Sequence, residues 1–351
     1  MAEHARLSLL KPVIVMLIVA AIGLGGFAVL KLESLTSAPE SFQLDLDDQW
    51  RVAEGLLGFR QAEEIPLDID EAHAIATGPN NRLYVSGNQV IHVYQPDGQL
   101  VRQISTQGTP KCLAVGTGDH VAPERLYAGS DDGVQVFDEK GELVATWKDL
   151  GDGAVITSIA LTYDSVFVAD AGNRVIVRLT TDGNVLDRIG EESGGTGSPA
   201  GFVIPSPYFD VVTDPNDLLY VVNPGVRQIE TYTLNGMLAT VWGKAGSDIA
   251  GFFGCCNPSH LALLPDGRFV TSEKGIPRIK VYRANGEFDC VVAGPEQLEV
   301  PATSLGDPRA TQTGLVFDIA VDGQGQVLVL DHRSNSIRVF VEDLTLRDRK
   351  T

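Results

Sequence analysis

Between Ser158 and Gly190 short apolar runs alternate with small polar ones, and the pattern predicts four strands in succession. Ile159, Leu161 and then Val166 to Ala169 give two β-rich runs on either side of Thr162-Tyr163-Asp164-Ser165. Asp170-Ala171-Gly172-Asn173 reads as a turn, because Gly and Asn tolerate positive φ and Asp and Asn bond their own backbone. Val175 to Leu179 is a third run, and Thr181-Asp182-Gly183 is a hairpin turn into a fourth, Val185 to Ile189. A lone four-stranded sheet cannot bury both faces, so copies of it must stack.

The rest of the chain supplies the copies. The turn before the fourth strand recurs as Asp97-Gly98, Lys140-Gly141, Asp182-Gly183, Asn235-Gly236 and Asn285-Gly286. The steps are roughly 40 to 55 residues, the length of a propeller blade. First strands are expected at Ala74-Ile75-Ala76, Cys112-Leu113-Ala114-Val115, Ser158-Ile159-Ala160, Asp210-Val211-Val212, His260-Leu261-Ala262 and Asp318-Ile319-Ala320. Six starts imply an all-β, six-bladed β-propeller. The last blade shows three strands, at Phe317 to Val321, Gln326 to Leu330 and Ser336 to Val341, and then ends in a polar tail. A strand drawn from Trp50 to Asp68 is therefore expected to complete it and close the ring.

Val168-Ala169-Asp170-Ala171-Gly172-Asn173-Arg174, with Val175-Ile176-Val177 and Asp182-Gly183, resembles an NHL repeat. Gly243-Lys244-Ala245-Gly246, Gly251-Phe252 and Pro258 before Leu261-Ala262 are similar to that family's linker between blades. The resemblance covers roughly residues 67 to 341. It implies the propeller architecture and leaves function open, since NHL propellers include scaffolds, binding modules and enzymes.

Ahead of the repeats, Pro12 to Leu30 is an uncharged apolar run of 19 residues behind Arg6 and Lys11. Its length suits a single bilayer-spanning helix, and the basic flank places residues 1–11 in the cytoplasm. The run exceeds a usual signal-peptide h-region and no small-x-small site follows it closely, which favours an uncleaved anchor. The expected order is anchor at 12–30, stalk and ring-closing strand at 31–66, propeller at 67–345 and polar tail at 346–351. The propeller would then lie on the periplasmic or extracellular side of the cell membrane.

Charge narrows the partners. The formal net charge is −19, and the first 31 residues hold three Lys/Arg against one Glu, leaving about −21 on the remainder. So acidic a domain repels phosphate backbones and anionic lipid surfaces, which argues against nucleic-acid binding and membrane-surface adhesion.

Candidate chemistry gathers at the end of the ring where first strands begin. The linkers Gly190 to Pro207, Gly243 to Pro258 and Gly294 to Leu315 enter blades four, five and six and are the longest. Long loops on a rigid scaffold are where binding sites form. They carry the aromatics Phe202, Tyr208, Phe252 and Phe253 and the adjacent Cys255-Cys256. Glu273, Lys274 and Arg278 fill the second turn of blade five and read as a solvated turn on the same rim. Just ahead of the first-strand hydrophobes stand His73, Asp210, His260 and Asp318. Two imidazoles and two carboxylates can bind Zn²⁺ or a similar divalent cation. Related six-bladed enzymes, an NHL-type lyase and calcium-dependent lactonases among them, place metals there. This chain has two suitable His rather than three, at non-equivalent offsets, so structural capping competes with a metal site.

Cys255 and Cys256 can be two small buried thiols, a strained vicinal disulfide or a metal contact. Cys112 and Cys290 fall on opposed blades and are not expected to pair. Phosphate loops, calcium loops and a nucleophile elbow are missing from the sequence. The first reading is therefore a membrane-anchored propeller that binds a protein or small-molecule ligand at this rim. The alternatives are a metal-dependent lyase or hydrolase at the channel mouth, and a redox-responsive accessory protein using Cys255-Cys256.

Overall fold

The computed structural model describes residues 50–148, 150–190, 201–301 and 315–347. Within them the chain forms six four-stranded antiparallel sheets, and five are meanders of consecutive strands. The innermost strands are Ala74–Thr77, Cys112–Val115, Ile156–Leu161, Val211–Thr213, His260–Leu263 and Asp318–Val321. Each packs beside the inner strand of the next blade, and the last beside the first, so the sheets close into a six-bladed propeller around a channel.

One turn recurs and sets the blade's shape. Gly98, Gly141, Gly183, Gly236 and Gly286 have φ between 80° and 87°, a region open to Gly without strain. Each Gly N–H donates to the carbonyl three residues back. A bulge follows on entry to the outer strand, for example between Val93 and Tyr94 and between Arg178 and Leu179. Bulges increase local twist, as radial stacking of blades requires. A side chain is also excluded at this turn by the preceding blade. A Cβ on Gly183 would lie 2.4 Å from Trp147 Nε1, and one on Gly286 would lie 2.6 Å from Trp242. The Asp170-to-Asn173 turn is capped by Asp170 Oδ1, which accepts from the backbone N–H of Val155, Gly172 and Asn173 at 2.9–3.1 Å.

The core lies between blades. Tyr127, Val134 and Trp147 of blade two, for instance, pack against Ile156, Val166 and Val177 of blade three.

The sixth blade is completed from the other end of the chain. Phe59–Pro66 pairs antiparallel with Ser336–Glu342, in register from Phe59 opposite Glu342 to Pro66 opposite Ser336. Phe59 and Ile65 are the buried residues of that outer strand, at 2% and 3% exposure. Part of the segment read as stalk is built into the body as well: Trp50 and Val52 are buried. Leu57 bridges Val291 of blade five in parallel, Gly58 N donates to Val291 O at 3.0 Å, and Asp343 N donates to Gly58 O at 2.9 Å. The closing segment thus ties blade five to blade six. The anchor expected over Pro12 to Leu30 lies outside the described residues. Among those described, no helix is long and apolar enough to cross a membrane.

Ring closure by Phe59–Pro66 has a measurable consequence. A chain truncated to begin at Asp70 is expected to unfold at markedly lower urea than one beginning at Lys31. Phe59→Ala alone should cost about 3–5 kcal/mol, as for other buried Phe. Exposed Glu63→Gln should leave the midpoint nearly unchanged. Equal urea midpoints for the two chain lengths would show that the closing strand contributes nothing.

Candidate functional site

Every inner strand presents one unpaired edge to the channel, and buried backbone donors and acceptors need partners. Side chains at the strand ends supply them across blade boundaries. Where the strands begin, Ser158 Oγ accepts from Val211 N at 3.2 Å, Asp210 Oδ2 from Leu261 N at 2.7 Å, and Asp318 Oδ2 from Ile75 N at 2.8 Å. At the opposite end Thr77 Oγ1 donates to Val321 O at 2.8 Å, and Thr213 Oγ1 donates to Leu161 O at 2.5 Å. The same chain position in blades three, four and six therefore clasps the next blade.

Blade five places His260 at this position, and the clasp becomes a charged cluster. His260 Nδ1 stands 3.4 Å from Asp318 Oδ1 and 3.6 Å from Asp210 Oδ2. Ionised carboxylates only accept, so Nδ1 carries the proton in this contact. Burial opposes charge on the imidazole, but Asp318 and then Asp210 outweigh it and raise its pKa. Burial raises the Asp318 pKa against the pull of His260, with Asp210 adding to the rise. Across the ring, burial pushes the Cys112 thiol far up, helped by the same two carboxylates. It is a neutral thiol rather than a nucleophile. The channel encloses about 630 Å³, with Lys111, Cys112, Ser158, Asp210, His260 and Asp318 around this mouth.

The expected four-residue metal set does not assemble. His73 precedes the ring position, which Ala74 occupies, and successive strand residues point to opposite sides. Its Nε2 lies instead 3.3 Å from Asn88 Oδ1, and burial followed by Lys111 lowers its pKa. Among the described residues no group of three or more His, Cys, Asp or Glu is arranged to hold a metal ion.

The rim also differs from its sequence reading. Phe252 is fully buried between blades, with ring centroids 5.5 Å from Tyr282 and 6.5 Å from Trp242. Phe202 is its counterpart one blade earlier, packed on Phe209 and Tyr232. Both plug gaps between blades. Phe253 is partly buried against the cluster shared by blades five and six.

Glu273 and Arg278 are not on a solvated turn, being 0% and 2% exposed. Glu273 is ion-paired with Lys280, itself fully buried. Lys280 Nζ donates to Ile249 O at 3.0 Å and Gly251 O at 2.8 Å, and sits 4.9 Å above the Phe252 ring. It pins the linker into blade five from below. Burial lowers the Lys280 pKa against the pull of Glu273, and burial likewise lowers that of Arg278. Sequence reasoning missed Lys280; the signal was a cation at the centre of the strand Arg278–Tyr282, between Ile279 and Val281.

One rim residue, Tyr208, does meet His260, and Lys274 stacks on it in turn. Tyr208 stands edge-on to the His260 ring, centroids 6.3 Å apart at 89°. Lys274 Nζ lies 4.5 Å over the Tyr208 ring and donates to Ser206 Oγ at 3.3 Å. Burial raises the Tyr208 phenol pKa, with Cys256 adding to the rise. Cys256 is buried at φ 59°, Cys255 is exposed, and both are free thiols.

No family model matches the chain, and no curated protein matches it. Solved structures do. A streptogramin B lyase aligns at 12% identity with a TM-score of 0.54, over 83% of this chain and 100% of that one. A catalytically inactive His-to-Ala variant of virginiamycin B lyase from Staphylococcus aureus, with quinupristin, aligns at 13% and 0.53 over 80% and 83%. A protein of unknown function from Bacteroides thetaiotaomicron aligns at 15% and 0.54 over 82% and 76%. At these identities the likeness shows the six-bladed fold.

Two outcomes follow from the charged groups. A raised His260 pKa means the folded state binds this proton more tightly than the unfolded chain. The stability it contributes is complete below about pH 6.5 and is lost as pH rises through the folded value. The wild-type urea midpoint should therefore fall across that window relative to His260→Gln, and a parallel pH response in both would remove His260 as the cause. Separately, Lys280→Met should cost about 3–5 kcal/mol by leaving Glu273 buried without its cation. Lys280→Met combined with Glu273→Gln should recover a large part of that loss in urea denaturation.

Proposed function

We propose that the chain is a membrane-anchored, extracytoplasmic binding module whose site is the channel mouth at His260. The carrying observation is that Lys274 stacks on Tyr208 and Tyr208 stands edge-on to His260, which with Asp210 and Asp318 lines one end of a channel cavity of about 630 Å³. That volume falls in the range of small-molecule sites, where a few polar groups converge in a concave wall. The His260 side chain is 23% exposed, so a ligand reaches it without opening the fold. The NHL-like turn at Asp170 to Asn173 and the apolar run Pro12 to Leu30 support a propeller carried on one membrane helix.

A second reading is a lyase. The observation that favours it is a histidine at the channel mouth, taken with the similarity to a virginiamycin B lyase inactivated by a His-to-Ala change. In that case His260 would be the proton-transfer group, with Asp210 and Asp318 holding its orientation.

A fragment screen followed by NMR on the backbone amides of Leu261 and Ile75 tests the first reading. Ligands should shift these two amides, and His260→Ala should abolish the shift while the chain remains folded. Ligands that shift only outer-strand amides would move the site away from the mouth. Incubation with quinupristin tests the second reading, because a converted product seen by mass spectrometry and lost in His260→Ala would make the chain an enzyme.

A further inference from the structure

We propose that Cys255 and Cys256 form a dithiol site that exchanges with low-molecular-weight disulfides, and that closing the pair releases Lys274 from its seat on Tyr208.

Chain connectivity places the two sulfurs together. Adjacent Cα atoms lie about 3.8 Å apart, so no folding event is needed to bring these thiols near each other. They are unlike in access. Cys255 is exposed, whereas Cys256 is 3% exposed, and Cys112 and Cys290 are buried as well. Of the four thiols, Cys255 is therefore the one that an incoming disulfide meets.

The backbone that carries them is already unusual. Cys256 has φ 59°, in the left-handed region where a Cβ crowds the following carbonyl, and Gly254 has φ 76°. Asn257, 1% exposed, staples the loop across its base. Its Nδ2 donates to Phe253 O at 2.5 Å, so residues 254–256 form a closed excursion.

The same staple reaches toward the mouth. Asn257 Nδ2 also donates to Lys274 O at 3.0 Å, and Lys274 N donates to Asn257 Oδ1 at 2.9 Å. The Lys274 ammonium in turn lies 4.5 Å over the Tyr208 ring, which stands edge-on to His260. Each step from Cys256 to His260 is a covalent bond or a direct contact.

Exchange proceeds in two balanced steps. The Cys255 thiolate attacks one sulfur of the disulfide RS–SR, whose S–S bond breaks as the bond from Cys255 to SR forms. RS⁻ leaves and takes up the proton that Cys255 released. Cys256, its own proton given to solvent, then attacks the Cys255 sulfur and expels the second RS⁻. Two thiols are oxidised, and one disulfide is reduced to two RSH. The ring that closes has Cα atoms nearer than the roughly 4.4–6.8 Å of ordinary disulfides, so thiols reopen it readily. Closure also requires both sulfurs on one side of the loop. One is exposed and the other buried, so the peptide between them must turn, and Asn257, next along the chain, turns with it. Its bonds to Lys274 are then lost, and Lys274 leaves Tyr208.

The test treats the full chain in neutral detergent with oxidised glutathione and then with dithiothreitol. Peptide mapping by mass spectrometry should find the peptide holding Cys255 and Cys256 lighter by two hydrogens, with little glutathione adduct. Cys256→Ser should instead accumulate the adduct on Cys255, and Cys255→Ser should leave Cys256 unmodified. In NMR the Asn257 side-chain amide and the Lys274 backbone amide should shift on oxidation and return with dithiothreitol. Both should stay fixed in Cys255→Ser, whose exposed position keeps the comparison available if Cys256→Ser fails to fold. A wild-type Cys255 adduct that never closes, or no reaction at either cysteine, would overturn the dithiol site. Closure that leaves the Asn257 and Lys274 resonances in place would overturn its link to Tyr208.

Discussion

A propeller turns the free edge of each inner strand toward its own axis, and these backbone groups must be satisfied without a partner strand. In this chain the task falls to the residues at the two ends of the inner strands. Ser158, Asp210 and Asp318 accept N–H groups from the next blade, while Thr77 and Thr213 donate to carbonyls of the previous one. Each bond crosses a blade boundary, so the belt that satisfies the edges also fixes the blades to one another. Hydrogen bonds to charged groups are worth about 1.5–3 kcal/mol, and losing one partner leaves a buried donor unsatisfied. The polar mouth of the channel therefore exists first for structural reasons.

Function is layered on that belt where it departs from repetition. Blade five has an imidazole where its neighbours have carboxylates, and His260 is held between them rather than by a backbone group. At the third-strand position where the other blades carry His92, Gln135, Val177, Glu230 and Arg338, the same blade has Lys280, whose ammonium ties down Ile249 and Gly251. The same linker, which enters the blade, also carries Cys255 and Cys256. A buried ion pair is a poor source of net stability, since desolvation offsets much of its attraction. Its effect here is geometric: it holds the linker stretch from Ile249 to Phe252 onto blade five.

Ring closure links the two ends of the domain. Phe59–Pro66 completes blade six, and Leu57 with Gly58 engages Val291 of blade five, so the closing segment spans two blades. An open sixth blade would expose the edge of Ser336–Glu342, a template for pairing with other chains.

The blade architecture was legible in the sequence because its signals are local. Asp-Gly and Asn-Gly turns, alternating apolar runs and a repeat of blade length specify strands and turns residue by residue. Aligning the strand starts was enough to bring Asp210, His260 and Asp318 to one ring. The missing fourth strand after Val341 pointed to the segment before blade one, where Phe59–Pro66 lies. What the sequence alone could not decide was the direction in which individual side chains near that ring would face. His73 turns to Asn88 because strand alternation puts it one residue out of phase with the ring. Phe202 and Phe252 fill gaps between blades, and Glu273 and Arg278 are buried rather than solvated. Those outcomes depend on which neighbouring blade stands within reach, a distance set by twist and stacking over residues far apart in the chain. Repetition along the chain determined the fold, and the spacing between blades decided which of its polar residues were left facing the channel.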